Sequence, residues 1–176
     1  MYIEVGDLSK YYILMNVVPR DSTLWEYMPD EIRDLVEDGE TILNFVHDYH
    51  EQADISDYSF MVFPFAKAYE GFLKRFLLDI GMIREEEYFS DEIRIGRILN
   101  PNFKGKNAIY EKLSRYKGEG KNVSKKLWKT WKQGRNLVFH YFPHNYRKLS
   151  YNQSLDIVNM IVDAMANAVV HIKIEK

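Results

Sequence analysis

Residues 56–81 read SDYSFMVFPFAKAYEGFLKRFLLDIG, and this stretch decides the fold class. Its apolar side chains recur every three or four residues, the spacing that lines one face of an α-helix. Ser56 and Asp57 are residue types that commonly open a helix, and Gly81 is a type that commonly closes one. Pro64 lacks a backbone donor, so it either kinks this helix or starts its straight part. The stretch therefore predicts a long amphipathic helix over residues 57–80. Its apolar positions are Phe60, Phe63, Ala66, Tyr69, Leu73, Phe76, Leu77 and Ile80.

The same helical spacing occurs on both sides of this stretch. It predicts helices over about 32–49, 107–116, 123–142 and 152–172, with shorter ones near 22–28 and 93–99. The run Glu85-Glu86-Glu87 predicts an acidic loop. Residues 11–14 and 17–18 have strand propensity, but the segment is short and ends at Pro19, so it is predicted to form an N-terminal arm with at most a short strand.

These elements predict one all-α domain over residues 1–176, because the chain contains no repeat and no Gly/Ser-rich linker. Residues 1–30 form an N-terminal arm with a short helix in this prediction. Residues 31–172 form an antiparallel bundle of four to five helices.

Composition excludes several classes of protein. A chain of 176 residues that is 46% apolar can bury a core and is not disordered throughout. The absence of cysteine excludes a disulfide framework, a thiolate metal site and a cysteine nucleophile. The apolar runs are too short to span a bilayer, and residues 1–5 lack the features of a signal peptide. We therefore expect a cytoplasmic protein with no membrane partner.

Charge is distributed very unevenly along the chain. Residues 1–100 carry 9 Lys and Arg against 21 Asp and Glu, whereas residues 101–150 carry 13 against 2. The central fifty residues are thus strongly basic although the net charge of the whole chain is only -2. Such a segment suits a polyanion, but it equally suits pairing with the acidic half of the same chain or of a second copy.

The basic helix carries the most specific motif. Residues 125–140 read KKLWKTWKQGRNLVFH, and their end, Arg135-Asn136-x3-His140, resembles the signature of HEPN domains. Those domains are helical bundles whose motif is an Arg, often followed by a polar residue, and then a His after a short spacing. Residues 66–74, AKAYEGFLK, resemble the acid-bearing helix of the RNase LS-type toxin branch. The resemblance covers residues 55–172 by the order and length of the helices, and it implies a HEPN-like bundle.

The resemblance implies a metal-independent endoribonuclease, and the residue types suit that chemistry. Histidine exchanges protons near neutral pH, so His140 can act as base or acid toward a ribose 2′-hydroxyl. The planar guanidinium of Arg135 fits phosphate oxygens, and Asn136 shares a helix face with His140 and can orient its ring. The expected products are a 2′,3′-cyclic phosphate and a 5′-hydroxyl. Alternatively, His140 is a helix-capping histidine and Arg135 pairs with the acidic half of the chain.

Two features of this motif lead to structural expectations. Glu70 lies within an apolar stripe, where a carboxylate needs a cation, and Arg135 is the partner we expect. Pairing with Lys67 or Lys74 is the alternative. Arg135 and His140 lie five residues apart, about 140° around an ideal helix, so either the Arg side chain curls around or the helix distorts.

The predicted RNA contacts come from the motif helix and from the turn after it. They are Lys125, Lys129 and Lys132 on the helix and His144, Tyr146 and Arg147 in the turn. Trp128 and Trp131 either stack on bases or, as is more usual for tryptophans on a helix, belong to the core. His47 and His50 offer too few ligands for a metal site, so we expect neither a metal nor a cofactor.

The resemblance also implies partners. Many HEPN ribonucleases are homodimers in which two motif helices meet, and toxins of this kind are bound by an antitoxin protein. One branch is regulated by modification of a Tyr two residues after the His, a position that holds Phe142 here, so that regulation is not expected. The leading hypothesis is a toxin or antiviral ribonuclease. The alternatives are a non-catalytic HEPN-like module that binds RNA or nucleotide, and a helical protein-interaction domain.

Overall fold

The structure, a computed structural model, describes residues 16–140, 143 and 147–172. Every regular element in that part of the chain is helical, so the predicted all-α fold is confirmed. The elements in chain order are α1 (Thr23–Tyr27), α2 (Asp30–Tyr49), a 3-10 turn (Ser59–Val62), α3 (Phe63–Asp79), α4 (Glu85–Tyr88), α5 (Ile95–Ile98), α6 (Tyr110–Ser114), α7 (Gly120–Trp131), a π-helical segment (Lys132–Asn136), α8 (Leu137–Phe139) and α9 (Tyr151–His171).

The helix α3 lies at the centre of the bundle. Most of its apolar side chains are fully buried, among them Phe65, Tyr69, Phe72 and Phe76. The helix begins later than the sequence predicts, at Phe63, because Pro64 occupies its first turn, where a missing backbone donor costs nothing. Pro64 therefore starts the helix and does not kink it. Residues 59–62 form a 3-10 turn instead.

The helix α2 packs closely against α3, and Gly39 is the reason it can. A Cβ atom at Gly39 would lie 2.5 Å from the ring of Phe65, so only glycine allows the two helices to approach this far. Gly39 weakens the helix prediction because glycine has low intrinsic helix propensity. The structure shows that the tertiary contact outweighs that cost.

The segment before α2 is joined to the bundle by a buried carboxylate. Glu40 is 4% exposed, and its oxygens accept hydrogen bonds from Arg20 at 2.6 and 3.3 Å and from the buried N–H of Val18 at 3.2 Å. Val17 and Val18, which have strand propensity, form a bend here and not a strand. Of the N-terminal arm predicted over residues 1–30, residues 1–15 lie outside the described residues, and the predicted short helix is α1.

The helix α9 follows the prediction closely. Ser150 caps it by accepting from the N–H of Gln153, and the Gln153 side chain accepts from the N–H of Ser150. The acidic run at 85–87 differs from its prediction, since it forms the short helix α4 in which the Glu87 carboxylate accepts from the N–H of Arg84. Acidic side chains in a first helical turn are favoured by the helix dipole, which explains the difference.

Among the described residues, no helix combines the length and the apolar character needed to cross a membrane.

Candidate functional site

The motif helix is distorted where Arg135 lies. After α7 the chain forms the π-helical segment Lys132–Asn136, in which the N–H of Leu137 donates to the carbonyl of Lys132, five residues earlier. Distortion of the helix was one of the two ways in which Arg135 and His140 could approach each other. π-Helical turns are rare and occur frequently at functional sites.

Gly134 explains how the bundle accommodates the π-helical segment. It is buried against α9, and a Cβ atom there would lie 3.0 Å from Cγ1 of Ile161 and 3.6 Å from Ile157. A larger residue would push the widened turn away from α9. Gly134, directly before Arg135, thus allows the π-helical segment to pack against α9.

Arg135 contacts the carboxylate of Glu70, as the sequence predicts. Nη2 of Arg135 lies 3.4 Å from Oε2 of Glu70, and each side chain is about one third exposed, at 36% and 35%. Neither Lys67 nor Lys74 lies within ion-pair distance of Glu70 in the described part of the chain. The pair joins α3 to the motif helix at the edge of the core.

Trp131 lies beneath the same guanidinium. The Arg135 Cζ atom is 5.3 Å from the centre of the Trp131 ring, within the range of a cation–π contact. Trp131 is only 3% exposed and Trp128 is partly buried against the core. The core alternative is therefore correct for Trp131, which cannot stack on a base while it is buried.

His140 follows the end of α8 with an extended backbone and an exposed side chain. The helix ends at Phe139, earlier than the predicted 142, and residues 141 and 142 lie outside the described residues. Asn136 is half-buried within the π-helical segment. Its predicted role of orienting His140 remains a prediction.

Two exposed aromatic rings lie beside this site. The rings of Phe63 and Phe139 meet edge to face with their centres 5.7 Å apart, and they are 56% and 36% exposed. The predicted apolar face of the helix over residues 57–80 includes Phe60 and Phe63, but both are exposed, at 44% and 56%, because Phe60 lies in the 3-10 turn and Phe63 is only the first residue of α3.

A row of lysines leads along α7 toward Arg135. Lys121, Lys125 and Lys129 are four residues apart on one exposed face, with a rise of about 6 Å between neighbours, and Lys132 is also exposed. Within the described ranges no carboxylate lies within 4.0 Å of these four lysines, whereas Lys126 on the adjacent face pairs with Asp163 at 2.7 Å. The four charges are thus available to an external anion.

The other predicted RNA contacts lie after α8. Arg147 is exposed, and among the described residues it makes no observed contact with Arg135, Asn136 or His140. His144 and Tyr146 lie outside the described residues.

His47 in the last turn of α2 and His50 directly after that helix both contact neighbouring groups. Nδ1 of His47 lies 3.0 Å from the Tyr151 hydroxyl, and Nδ1 of His50 lies 2.8 Å from the carbonyl of His47. The ring of His50 also stacks on Tyr151 at 3.9 Å. Among the described residues no group of three or more His, Asp or Glu side chains is arranged to hold a metal ion.

Sequence reasoning missed two residues that support the site. The buried Tyr69 hydroxyl donates to the carbonyl of Leu127 at 2.9 Å, which fixes α3 against α7 one residue before Glu70. Burial raises the pKa of Tyr69 well above its ordinary value, so this hydroxyl stays protonated and remains a donor. Gly96 packs against the indole edge of Trp131. Neither contact has a local sequence signal, because each joins segments tens of residues apart.

Comparison with known families gives a match that covers the site residues. The model of the family described as "RNase LS, bacterial toxin DBD domain" matches residues 22–142, which include both Glu70 and the complete Arg135–His140 motif. Comparisons with curated proteins and with solved structures give no match. Because the family match covers more than half of the chain, this protein belongs to the RNase LS bacterial toxin DBD domain family.

Proposed function

We propose that this chain is a metal-independent endoribonuclease of the HEPN type that acts in the cytoplasm as a toxin or antiviral effector. The observation that carries the proposal is that the Arg135 guanidinium contacts both the Glu70 carboxylate and the Trp131 ring. Because the Arg135 side chain has two neighbours and is still about one third exposed, its charge can stabilise a phosphate on which negative charge develops.

In the proposed reaction His140 takes the proton from a ribose 2′-hydroxyl. The 2′-oxygen then bonds to the adjacent phosphorus while the bond from phosphorus to the 5′-oxygen breaks. The 5′-oxygen leaves with a proton supplied by the imidazolium of His140 in the second copy of the proposed dimer. The products are a 2′,3′-cyclic phosphate and a 5′-hydroxyl. Arg135 stabilises the charge on the phosphoryl oxygens, Glu70 orients Arg135, and Asn136 orients His140.

RNA binding is assigned to the basic face that leads to the motif. Lys125, Lys129 and Lys132 are exposed and lack carboxylate partners among the described residues, so they offer their charges to successive phosphates. His144, Tyr146 and Arg147 belong to the same proposed surface on sequence grounds.

The active form is proposed to be a homodimer in which two motif helices face each other. One Arg and one His offer little charge for a phosphate backbone, whereas two copies supply two of each, with one imidazole as base and the other as acid. The exposed pair Phe63 and Phe139 beside the motif supplies the apolar contact for such an interface. An antitoxin protein that covers this face would block the site.

The test is cleavage of labelled single-stranded RNA in EDTA, with RNA affinity measured in parallel. We expect the wild type to cut and His140→Ala to lose about 10²–10⁴-fold in rate at nearly unchanged affinity, because proton transfer depends on that one group. Wild-type cleavage by His140→Ala would reject the mechanism. Binding without cleavage by the wild type would favour the non-catalytic RNA-binding alternative.

The basic face is tested by a matched pair of variants. Lys125→Ala/Lys129→Ala should weaken RNA binding and reduce the slope of log affinity against log salt by about 1.4, roughly 0.7 for each lost phosphate contact on a single strand. Lys126→Ala removes a neighbouring lysine that is already paired with Asp163 and should leave that slope unchanged. Equal slopes for the two variants would reject the assignment of this face.

A further inference from the structure

Glu70 alone does not fix the direction of the Arg135 guanidinium. A strong ion-paired hydrogen bond joins nitrogen and oxygen at about 2.7–2.9 Å, whereas this pair is separated by 3.4 Å and both side chains are partly exposed. A pair with this geometry leaves the guanidinium considerable freedom. Its second neighbour, the Trp131 ring 5.3 Å away, therefore matters for its placement.

The Trp131 ring is itself held rigidly by the core. Its Nε1 edge packs against Gly96, where a Cβ atom would lie only 2.4 Å from Nε1. The ring of Tyr69 is 6.4 Å away, and Tyr69 is fixed by its hydrogen bond to Leu127. A ring that is 3% exposed and bounded in this way keeps one orientation beneath Arg135.

Burying Trp131 has a free-energy cost that its role in filling the core does not explain. Its indole N–H is buried and has no acceptor among the described residues, and burying an unpaired donor is unfavourable. Phenylalanine would fill a core position without that cost. Tryptophan, however, is the best aromatic partner for a cation above its ring face, and the Arg135 guanidinium lies on this ring.

We propose that Trp131 is a positioning residue for Arg135, and that Gly96 sets the orientation of its ring. The guanidinium is thereby pre-aligned for the RNA phosphate before the substrate arrives. This inference rests on the proposed ribonuclease function and deepens it, since it assigns part of the site to α5, far from the motif in sequence.

Four variants of the full chain test the proposal. Trp131→Leu removes the ring, and Trp131→Phe keeps a ring face but removes the indole edge. Gly96→Ala places a methyl group where the indole edge now lies. Gly71→Ala is the matched control, because it adjoins Glu70 in sequence but its Cβ would meet only Ile32 at an ordinary 3.4 Å.

Two readouts are measured on each variant, after circular dichroism has shown that it is folded at the assay temperature. The first is kcat and KM for single-stranded RNA. The second is the order parameter of the Arg135 Nε–H bond, obtained by NMR relaxation of arginine-labelled protein and assigned with Arg135→Lys. The order parameter measures how firmly the guanidinium is held, whether or not the protein cuts RNA.

We expect Trp131→Leu and Gly96→Ala to lower kcat about three- to tenfold with KM within about twofold, the range a cation–π contact supports. Both should also lower the order parameter of the Arg135 Nε–H bond. Trp131→Phe should recover only part of kcat, because phenylalanine keeps a ring face but is a weaker partner for a cation than tryptophan. Gly71→Ala should match the wild type. An order parameter for the Arg135 Nε–H bond that is unchanged in both Trp131→Leu and Gly96→Ala would overturn the inference. A wild type that fails to cut RNA would instead remove the ribonuclease proposal, while the order parameter still decides whether Trp131 positions Arg135.

Discussion

Replacing Glu70 with glutamine removes the charge beside Arg135 and keeps the size of the side chain. The structure predicts a small effect on stability. The two side chains are about one third exposed, and their closest nitrogen and oxygen are 3.4 Å apart. Ion pairs with this exposure contribute about 0–1 kcal/mol, so the free energy of unfolding should fall by no more than about 1 kcal/mol.

The expected effect of the same change on cleavage is much larger. Glutamine does not attract the guanidinium as a carboxylate does, so Arg135 samples positions away from the phosphate. A displacement of about 1 Å at a reacting centre can cost roughly 10²-fold in rate, and we expect kcat for RNA to fall about 10–100-fold. RNA affinity should change little, because the lysines of α7 are retained.

Asp79→Asn on the same helix is the matched control, and we expect it to lower stability more than Glu70→Gln does and to leave kcat unchanged. The Asp79 side chain is 17% exposed and accepts hydrogen bonds from the Tyr27 hydroxyl at 2.7 Å and from Nε of Arg75 at 3.0 Å. Weakening this more buried network should cost about 1–3 kcal/mol, yet kcat of the folded variant should stay near that of the wild type. Urea unfolding followed by circular dichroism and RNA cleavage in EDTA supply the two measurements. The reasoning is refuted if Glu70→Gln cuts RNA like the wild type, or if its loss of stability matches that of Asp79→Asn.

Three further changes test other parts of the molecule. Glu40→Ala leaves the buried N–H of Val18 without its acceptor and should lower the free energy of unfolding by about 2–3 kcal/mol. Glu37→Ala is the control, because it removes a carboxylate that is 53% exposed and should lower the free energy of unfolding by less than about 0.5 kcal/mol in the same urea titration. Burial alone would raise the pKa of Asp57, but hydrogen bonds from Ser59 and from a backbone N–H lower it overall. The stability from that charge is therefore present above about pH 4 and is lost as the pH falls through the lowered pKa, so Asp57→Asn should flatten the loss of unfolding free energy measured from pH 5 to pH 2. Phe139→Ser should weaken the proposed dimer in sedimentation velocity without unfolding the monomer, and an unchanged sedimentation coefficient would argue against that interface.

Part of the candidate site follows from sequence reasoning because it depends on electrostatics that are independent of fold detail. A carboxylate inside an apolar stripe needs a cation, and this requirement led from Glu70 to Arg135 across 65 residues of chain. The same reasoning did not find Trp131 as a neighbour of Arg135, because a tryptophan on a helix face is equally suited to the core or to a base. Its surroundings are set by Gly96, and no local pattern connects residue 96 with residue 131.

The sequence by itself determined the all-α class and the approximate spans of α3 and α9, because helical periodicity depends on residues within one or two turns of each other. Only the tertiary structure decided where the motif helix widens. The π-helical segment at Arg135 depends on Gly134 approaching Ile161 of α9, a contact between segments 27 positions apart in the numbering. Local spacing describes an ideal helix, whereas a widened turn forms only where packing against another helix offsets the cost of leaving the α-helical hydrogen-bond pattern.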